Sequence, residues 1–186
     1  AVRETRAVLD GNDTPTIIQA QALQQMGRLA VLGGSAIRSR AIPFQTKAIE
    51  MADLVATSKH VADRKAAKQV LVDAHLAIGR EIAGQDYRNK FKTVSKWIDR
   101  ASGLAEDAIK KGDAGLELRL QVAEVALATL AELKPSVDPA PWIEEAQTAA
   151  NSLVEEVDDL LWQQHIQWRL GVAYFQAVRI EHTRRR

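Results

Sequence analysis

Several residue types and patterns are missing from this sequence, and each absence excludes a class of structure or chemistry. There is no cysteine, which excludes disulfides, thiolate nucleophiles and thiolate metal sites, while the redox compartment stays open. Aromatic residues make up only 5% of the chain. No apolar run approaches the ~18 residues that a membrane-spanning helix needs, and no signal peptide is visible. Because the chain starts at Ala1, we expect an initiator methionine to have been removed.

A further absence marks the stretch from Thr14 to Ile49. Its 36 residues contain no Asp or Glu, although acids make up 24 of the 186 residues of the chain. Thr14-Pro15 is typical of a helix start, and Gly33-Gly34 predicts that this helix ends near Leu32. A short helix is expected to restart after Ser35 and to be broken or kinked at Pro43. We therefore predict a helical arm over about 14–42, within an N-terminal segment 1–43.

The remainder, 44–186, predicts a helical bundle, so that the fold class is all-α. Apolar residues recur at spacings of three to four, and no segment alternates with a period of two. The pattern predicts about four longer helices over 44–83, 86–111, 114–133 and 139–181, with a Pro-rich linker at 134–141 before the last. A break near Thr57-Ser58 would divide the first of these helices, and the sequence leaves open whether 44–83 is one helix or two.

Charge is distributed unevenly along the chain. Residues 1–100 carry 16 cationic and 10 acidic side chains, residues 101–165 carry 4 and 13, and residues 166–186 carry 5 and 1. One interpretation is that these side chains are ordinary solvated helix faces. The other is that one end of the protein faces a polyanion, while the acidic middle faces solvent or a basic partner.

The second half of the last predicted helix is apolar in nearly every direction. Its candidate interface residues are Trp162, Ile166, Trp168, Tyr174 and Phe175. A helix that is apolar all round is buried on all sides. Either another subunit covers it, or it lies at the centre of its own bundle.

Catalytic and metal-binding patterns are missing. The four histidines have no HExxH or ExxH spacing, no Ser lies in a Gly-x-Ser-x-Gly turn, and Gly33-Gly34 is not followed by a P-loop lysine. The sequence therefore predicts no enzymatic activity, no metal site and no cofactor.

Features that favour binding are clearer. The arm offers donors for phosphate oxygens and no carboxylate that would repel them. The candidate nucleic-acid-binding residues are Gln21, Gln25, Arg28, Ser35, Arg38, Arg40 and Lys47 in the arm, with Arg184, Arg185 and Arg186 at the C terminus. A second basic patch (Arg88, Lys92 and Lys96) is either a solvated helix face or a nucleic-acid face.

This layout, an acid-free arm with a glycine bend followed by a bundle with an apolar last helix, resembles the major capsid (coat) proteins of filamentous archaeal viruses. The resemblance implies that the arm wraps double-stranded DNA in the A form, with Arg28, Arg38, Arg40 and Lys47 as phosphate contacts. It also implies that the bundle packs against other subunits, homo- or hetero-oligomeric, in a virion.

Two alternatives stay open. The chain would otherwise be a helical structural or adaptor subunit of another large complex, such as a phage neck or tail or an organelle assembly, without nucleic-acid contact and inside the cell. The second alternative is a small-molecule-binding or enzymatic bundle, which only the presence of a helical bundle supports.

Overall fold

The computed structural model describes residues 16–86, 88–113, 115–133 and 137–185. Within these residues the secondary structure is helical and contains no strand, which confirms the predicted all-α fold. The helices are α1 (Ile17–Val31), α2 (Ser35–Arg38), α3 (Ala41–Val55), α4 (Val61–Ala83), α5 (Lys90–Lys110), α6 (Gly115–Leu133), α7 (Ala140–Glu156) and α8 (Leu160–Arg184).

The helices pack into three successive cores, and each core is built from three helices. The first core joins α1, α3 and α4, the second joins α4, α5 and α6, and the third joins α6, α7 and α8. Helices α4 and α6 are therefore shared, with one side in each of two cores. The described helices form a stack in which α8 belongs to the last core and has no further core behind it.

The bundle contains more helices than the sequence predicted. From Ala41 onwards the described residues form six helices of 15 to 25 residues rather than about four. The segment 44–83 is divided, because α3 ends at Val55 and α4 begins at Val61. The single helix predicted over 139–181 is wrong, because Val157 and Asp159 are extended. The Asp159 carboxylate accepts hydrogen bonds from the backbone N–H groups of Leu161 and Trp162, at 2.9 and 3.3 Å, and so caps α8.

The start of the arm also differs from the prediction. The N-cap of α1 is Thr16, which exchanges hydrogen bonds with Gln19 in a capping box. The predicted cap, Thr14, lies outside the described residues. Pro43 is the third residue of α3 and does not break a helix, since the first turn of a helix needs no hydrogen bond from that position. The predicted helix end before Gly33-Gly34 is confirmed.

The arm is not separate from the bundle. The small-residue side of α1, which includes Ala20, Leu23, Gly27 and Ala30, is buried against α3 and α4. At Gly27 a Cβ atom would lie 2.4 Å from the Nε2 atom of Gln45, so a larger residue there would require the buried Gln45 side chain to move. Helix α1 is part of the first core, and the expected layout of an arm plus a four-helix bundle is not confirmed.

Candidate functional site

Asp73 on α4 anchors the arm. One carboxylate oxygen accepts hydrogen bonds from Gln24 and Arg28, both at 3.0 Å, and the other accepts from Gln69, at 3.1 Å, and from Gln121. The Asp73 side chain is 9% exposed, whereas that of Arg28 is 51% exposed. The carboxylate thus joins α1, α4 and α6, and it already neutralises one of the cations predicted to contact phosphate.

A second ion pair anchors α2 to the same helix. Arg38 donates to both oxygens of Glu81, at 2.7 and 3.2 Å, and the Glu81 side chain is 4% exposed. Burial alone would raise the pKa of Glu81, but the hydrogen bonds from Arg38 and Gln85 outweigh it and lower that pKa. The same hydrogen bond raises the pKa of Arg38. Both groups are therefore held in their charged forms.

Between these two ion pairs lies a groove of about 480 Å³. Leu76, Ala77 and Ile78 contribute to its apolar lining, and Gln45 lies along it. Gln45 is 3% exposed, and its Nε2 atom donates to the carbonyl of Gln24 at 3.1 Å. Its Oε1 atom has no hydrogen-bond partner among the described residues.

The other predicted nucleic-acid contacts are scattered over the surface. Gln21, Gln25, Ser35, Arg40 and Lys47 are exposed, and Arg40 and Lys47 form no ion pair with a described residue. Arg184 pairs with Glu181 at 2.6 Å, and Arg185 is 83% exposed. Arg186 lies outside the described residues. The structure does not gather these side chains into one site. Arg88, Lys92 and Lys96 are also exposed.

One side of α8 exposes several large apolar side chains. Helix α8 buries one side, which includes Ile166, Leu170, Ala173, Ala177 and Ile180, in the third core. On the opposite side lies the surface that we call the outer face, which consists of Leu161, Gln164, His165, Trp168, Gly171, Phe175, Val178, Arg179 and His182, all exposed. Leu161 is 77%, Trp168 66%, Val178 64% and Phe175 61% exposed. Leu160 (68%) and Tyr174 (41%) flank this surface.

The predicted interface residues divide between the two sides of α8. Trp168, Tyr174 and Phe175 are exposed, but Ile166 is fully buried on the core side. Trp162 is half-buried and packs against the third core. Rings of Trp162 and Trp168 flank His165, at centroid distances of 5.7 and 6.2 Å. The all-round apolar character that the sequence showed therefore corresponds to one side in the core and one side in solvent.

Sequence reasoning missed a buried ionic cluster between α4 and the turn before α6. Arg64 donates to both oxygens of Asp113, at 2.9 and 3.0 Å, and Lys68 lies 3.3 Å from Asp113 and 3.1 Å from Asp107. The hydrogen bond from Arg64, supported by Lys68, lowers the pKa of Asp113 to about 2. The one available signal was a pair of cations four residues apart on a helix that is otherwise largely apolar.

No group of three or more His, Asp and Glu side chains in the described part of the chain is placed to hold a metal ion. No helix in the described ranges is long and apolar enough to cross a membrane. Comparison of the chain with protein-family models, curated proteins and solved structures gives no match.

Proposed function

We propose that this protein is a structural subunit that assembles with other protein chains through the outer face of α8. The single observation that carries the proposal is the row of exposed apolar side chains, Leu161, Trp168, Phe175 and Val178, on the last helix of the stack. Water-exposed apolar surface of this extent is unfavourable for an isolated chain, and burying it against a partner is favourable.

Helix α6 supports this interpretation by contrast. It is also apolar on more than one side, but both sides are covered, since Val122 lies in the second core and Leu120 in the third. Helix α8 is likewise apolar on more than one side, but only one of its sides lies in a core. In stacked helical proteins the terminal helices normally carry a polar outer face. The outer face of α8 departs from that rule in the way expected if another chain continues the packing.

The resemblance to filamentous-virus coat proteins makes a virion coat one candidate for this assembly. A phage neck or tail, or an organelle complex, is the other candidate. The proposal in either case is a non-enzymatic subunit that is defined by its contacts with other chains. The exposed aromatic residues Trp168 and Phe175 are of the types that contribute most to protein interfaces.

The test is to replace Trp168 and Phe175 by Glu and to compare assembly with that of the original protein. We expect the original chain to sediment as a complex, either purified or within an extract of its source, and the double variant to sediment as a monomer. Because both side chains point into solvent, the thermal unfolding midpoint of the isolated chain should change little.

The matched control is Leu54→Glu, at a residue of similar exposure (64%) on α3. This variant should assemble like the original protein. If the original chain is monomeric in both the purified sample and the extract, or if Leu54→Glu disrupts assembly as much as the double variant, the proposal is wrong.

Contact between the arm and double-stranded DNA is a second candidate, and one observation favours it. Arg40, the N-cap residue of α3, and Lys47 within α3 lie seven residues apart on one side, exposed and without an ion-pair partner among the described residues. Arg28 and Arg38 are less suited to contact phosphate, because each already binds a carboxylate with little exposure. Phosphate contacts would therefore centre on α3 rather than on the whole arm.

Salt dependence distinguishes DNA contact from incidental charge. Each neutralised phosphate contributes about −0.9 to the slope of log affinity against log salt. Arg40→Ala with Lys47→Ala should reduce the slope by about 1.8 in magnitude if both contact phosphate. The control, Lys65→Ala with Lys110→Ala, removes the same charge from exposed positions elsewhere and should leave the slope unchanged. If the original protein and both double variants give equal slopes, Arg40 and Lys47 do not contact phosphate.

A further inference from the structure

We propose that the partner covering the outer face of α8 is a second copy of this chain, packed antiparallel through α8 with the two-fold axis near Gly171. This inference rests on the proposed function, because it identifies the occupant of the same surface. A two-fold contact of this kind uses the same surface on both copies and closes after two chains. Three features of the surface point to a second copy: its symmetry, its charge and its area.

The apolar residues on the outer face are arranged about its centre. Leu161, Trp168 and Phe175 recur every seven residues and form one continuous row along the helix. Gly171 lies between Trp168 and Phe175, and a Cβ atom added there would meet nothing within 4 Å. The residue at the middle of the face is thus the smallest one, with large aromatic side chains on both sides. Two copies related by a two-fold axis at this point would approach most closely where neither has a side chain.

The two ends of the face carry opposite charges. Glu155, Glu156, Asp158 and Asp159 are exposed at the junction of α7 and α8, and no ion pair joins them to another described residue. Arg179 and Arg185 are exposed at the other end of α8, where Arg185 lies 4.0 Å from Glu181; Arg184 already pairs with Glu181 and Asp138 of the same chain. Asp159 and Arg185 are about 18 and 21 Å from Gly171 along the helix, at 1.5 Å per residue. The two charged ends are therefore nearly equidistant from the centre.

This arrangement selects the antiparallel orientation. When two copies pack antiparallel about Gly171, the acidic end of each α8 lies beside the basic end of the other. In a parallel pair, acids would face acids and arginines would face arginines. Exposed ion pairs contribute little affinity, but charge complementarity decides orientation and excludes the arrangement in which like charges meet. Apolar burial would supply the affinity.

The exposed apolar area is sufficient for a dimer. An aromatic side chain has roughly 150–250 Å² of surface, so the exposed fractions of the six apolar residues on and beside the outer face correspond to roughly 600–700 Å² per chain. A stable interface buries about 800 Å² per partner, polar rim included. The largest apolar patch on a typical monomer is about 300–600 Å². The outer face with its charged ends is therefore of the size that one further copy would cover.

The absence of cysteine from the chain allows a direct test with single-cysteine variants and a short thiol cross-linker. The variants are Gln164→Cys and Val178→Cys, which lie on the same flank of the outer face at opposite ends. Gly171→Cys, at the centre, is the third. All three positions are exposed, and circular dichroism verifies that each variant keeps the fold. Light scattering at several protein concentrations measures the mass of the uncross-linked protein.

In the antiparallel dimer Gln164 of one copy lies near Val178 of the other, and the two copies of Gln164 are about 21 Å apart. A mixture of the Gln164→Cys and Val178→Cys proteins should therefore give cross-linked heterodimers, while either protein alone gives none. Gly171→Cys should cross-link with itself. Cross-linking of Gln164→Cys with itself indicates a parallel pair and overturns the proposal.

Other occupants of the surface give different results. If the purified chain is a monomer but forms an α8-dependent complex in the extract, the partner is a different protein; the proposed function then survives and this inference fails. If the purified chain grows into higher oligomers with concentration, the contact does not close, and the antiparallel dimer is again excluded. If residues 1–15 cover the outer face instead, the original chain is a monomer and deleting these residues converts it into a dimer. The proposal expects the original chain to be a dimer already, so this result would overturn it.

Discussion

Replacing Asp73 by Ala should detach the arm from the rest of the protein. The Asp73 carboxylate is the shared acceptor for Gln24, Arg28, Gln69 and Gln121, and its side chain is 9% exposed. Truncation leaves the amide of Gln24, a residue that is 5% exposed, without this acceptor. A buried group that loses its partner costs about 1–3 kcal/mol, and a hydrogen bond to a charged group contributes about 1.5–3 kcal/mol. Arg28 is half exposed, so water can hydrogen-bond to its guanidinium in place of Asp73, and little further stability is lost there.

The expected loss in the free energy of unfolding is therefore about 2–4 kcal/mol. For a chain of this length that corresponds to a fall in the midpoint of thermal unfolding of roughly 4–16 °C. Urea denaturation measures the first quantity and calorimetry the second. The control is Asp99→Ala, which removes an exposed carboxylate from α5 that has no hydrogen bond or ion pair with another described residue. Such a surface change should stay within about 0.5 kcal/mol.

Trypsin provides a local readout of the same change. Arg38 and Arg40 lie in the exposed connection between α1 and α3, and cleavage there requires the connection to open. Cleavage at these two residues should be faster in Asp73→Ala than in Asp99→Ala. If the two variants unfold at the same urea concentration and are cleaved at the same rate, Asp73 does not hold the arm, and the arm would have to be bound by apolar packing alone.

Two further predictions concern α5 and its connection to α6. Gly115→Ala should destabilise the protein by on the order of 2–3 kcal/mol, because the new Cβ would lie 2.3 Å from the backbone nitrogen of Ile109. Gly103→Ala, with open space around the new Cβ, should instead stabilise it by about 0.5–1 kcal/mol. If urea denaturation shows a change of the same sign for both variants, this geometry is contradicted. The pKa of Asp113 is lowered from 3.8 to about 2, chiefly by the hydrogen bond from Arg64. Its contribution to stability is therefore fully present above about pH 4 and is lost as the pH falls towards 2. The free energy of unfolding should fall less over this pH range in Asp113→Asn than in the original protein, and an equal fall would contradict the pairing.

Local features of the fold were predictable because they depend on neighbouring residues. The end of α1 before Gly33-Gly34 and the interruption before α7 follow from backbone preferences over a few residues, whereas the sequence left open whether 44–83 is one helix or two. The break at Val157–Asp159 was missed, because four acids in five residues were interpreted as a solvated helix face. Asp159 instead caps the next helix.

The candidate sites were predicted less well, because their partners are far apart in the chain. Arg28 and Asp73 are separated by 45 residues, and Arg38 and Glu81 by 43. A count of charges shows that the arm has cations and no acids, but it does not show that α4 supplies the acids. The basic character of the arm was therefore visible in the sequence, and its partial neutralisation was not.

Residue order alone is enough to show that the chain is helical, that α1 ends before Gly33-Gly34, and that the last helix is apolar on more than one side. Each of these properties depends on the identity of residues within about two helical turns. Which apolar side is covered, in contrast, depends on the packing of the whole fold. Burial depends on how many neighbours the fold places around a helix, and α6 has a core on two sides whereas α8 has a core on one. For that reason, similar apolar sequences form an interior helix at one position and an exposed surface at another.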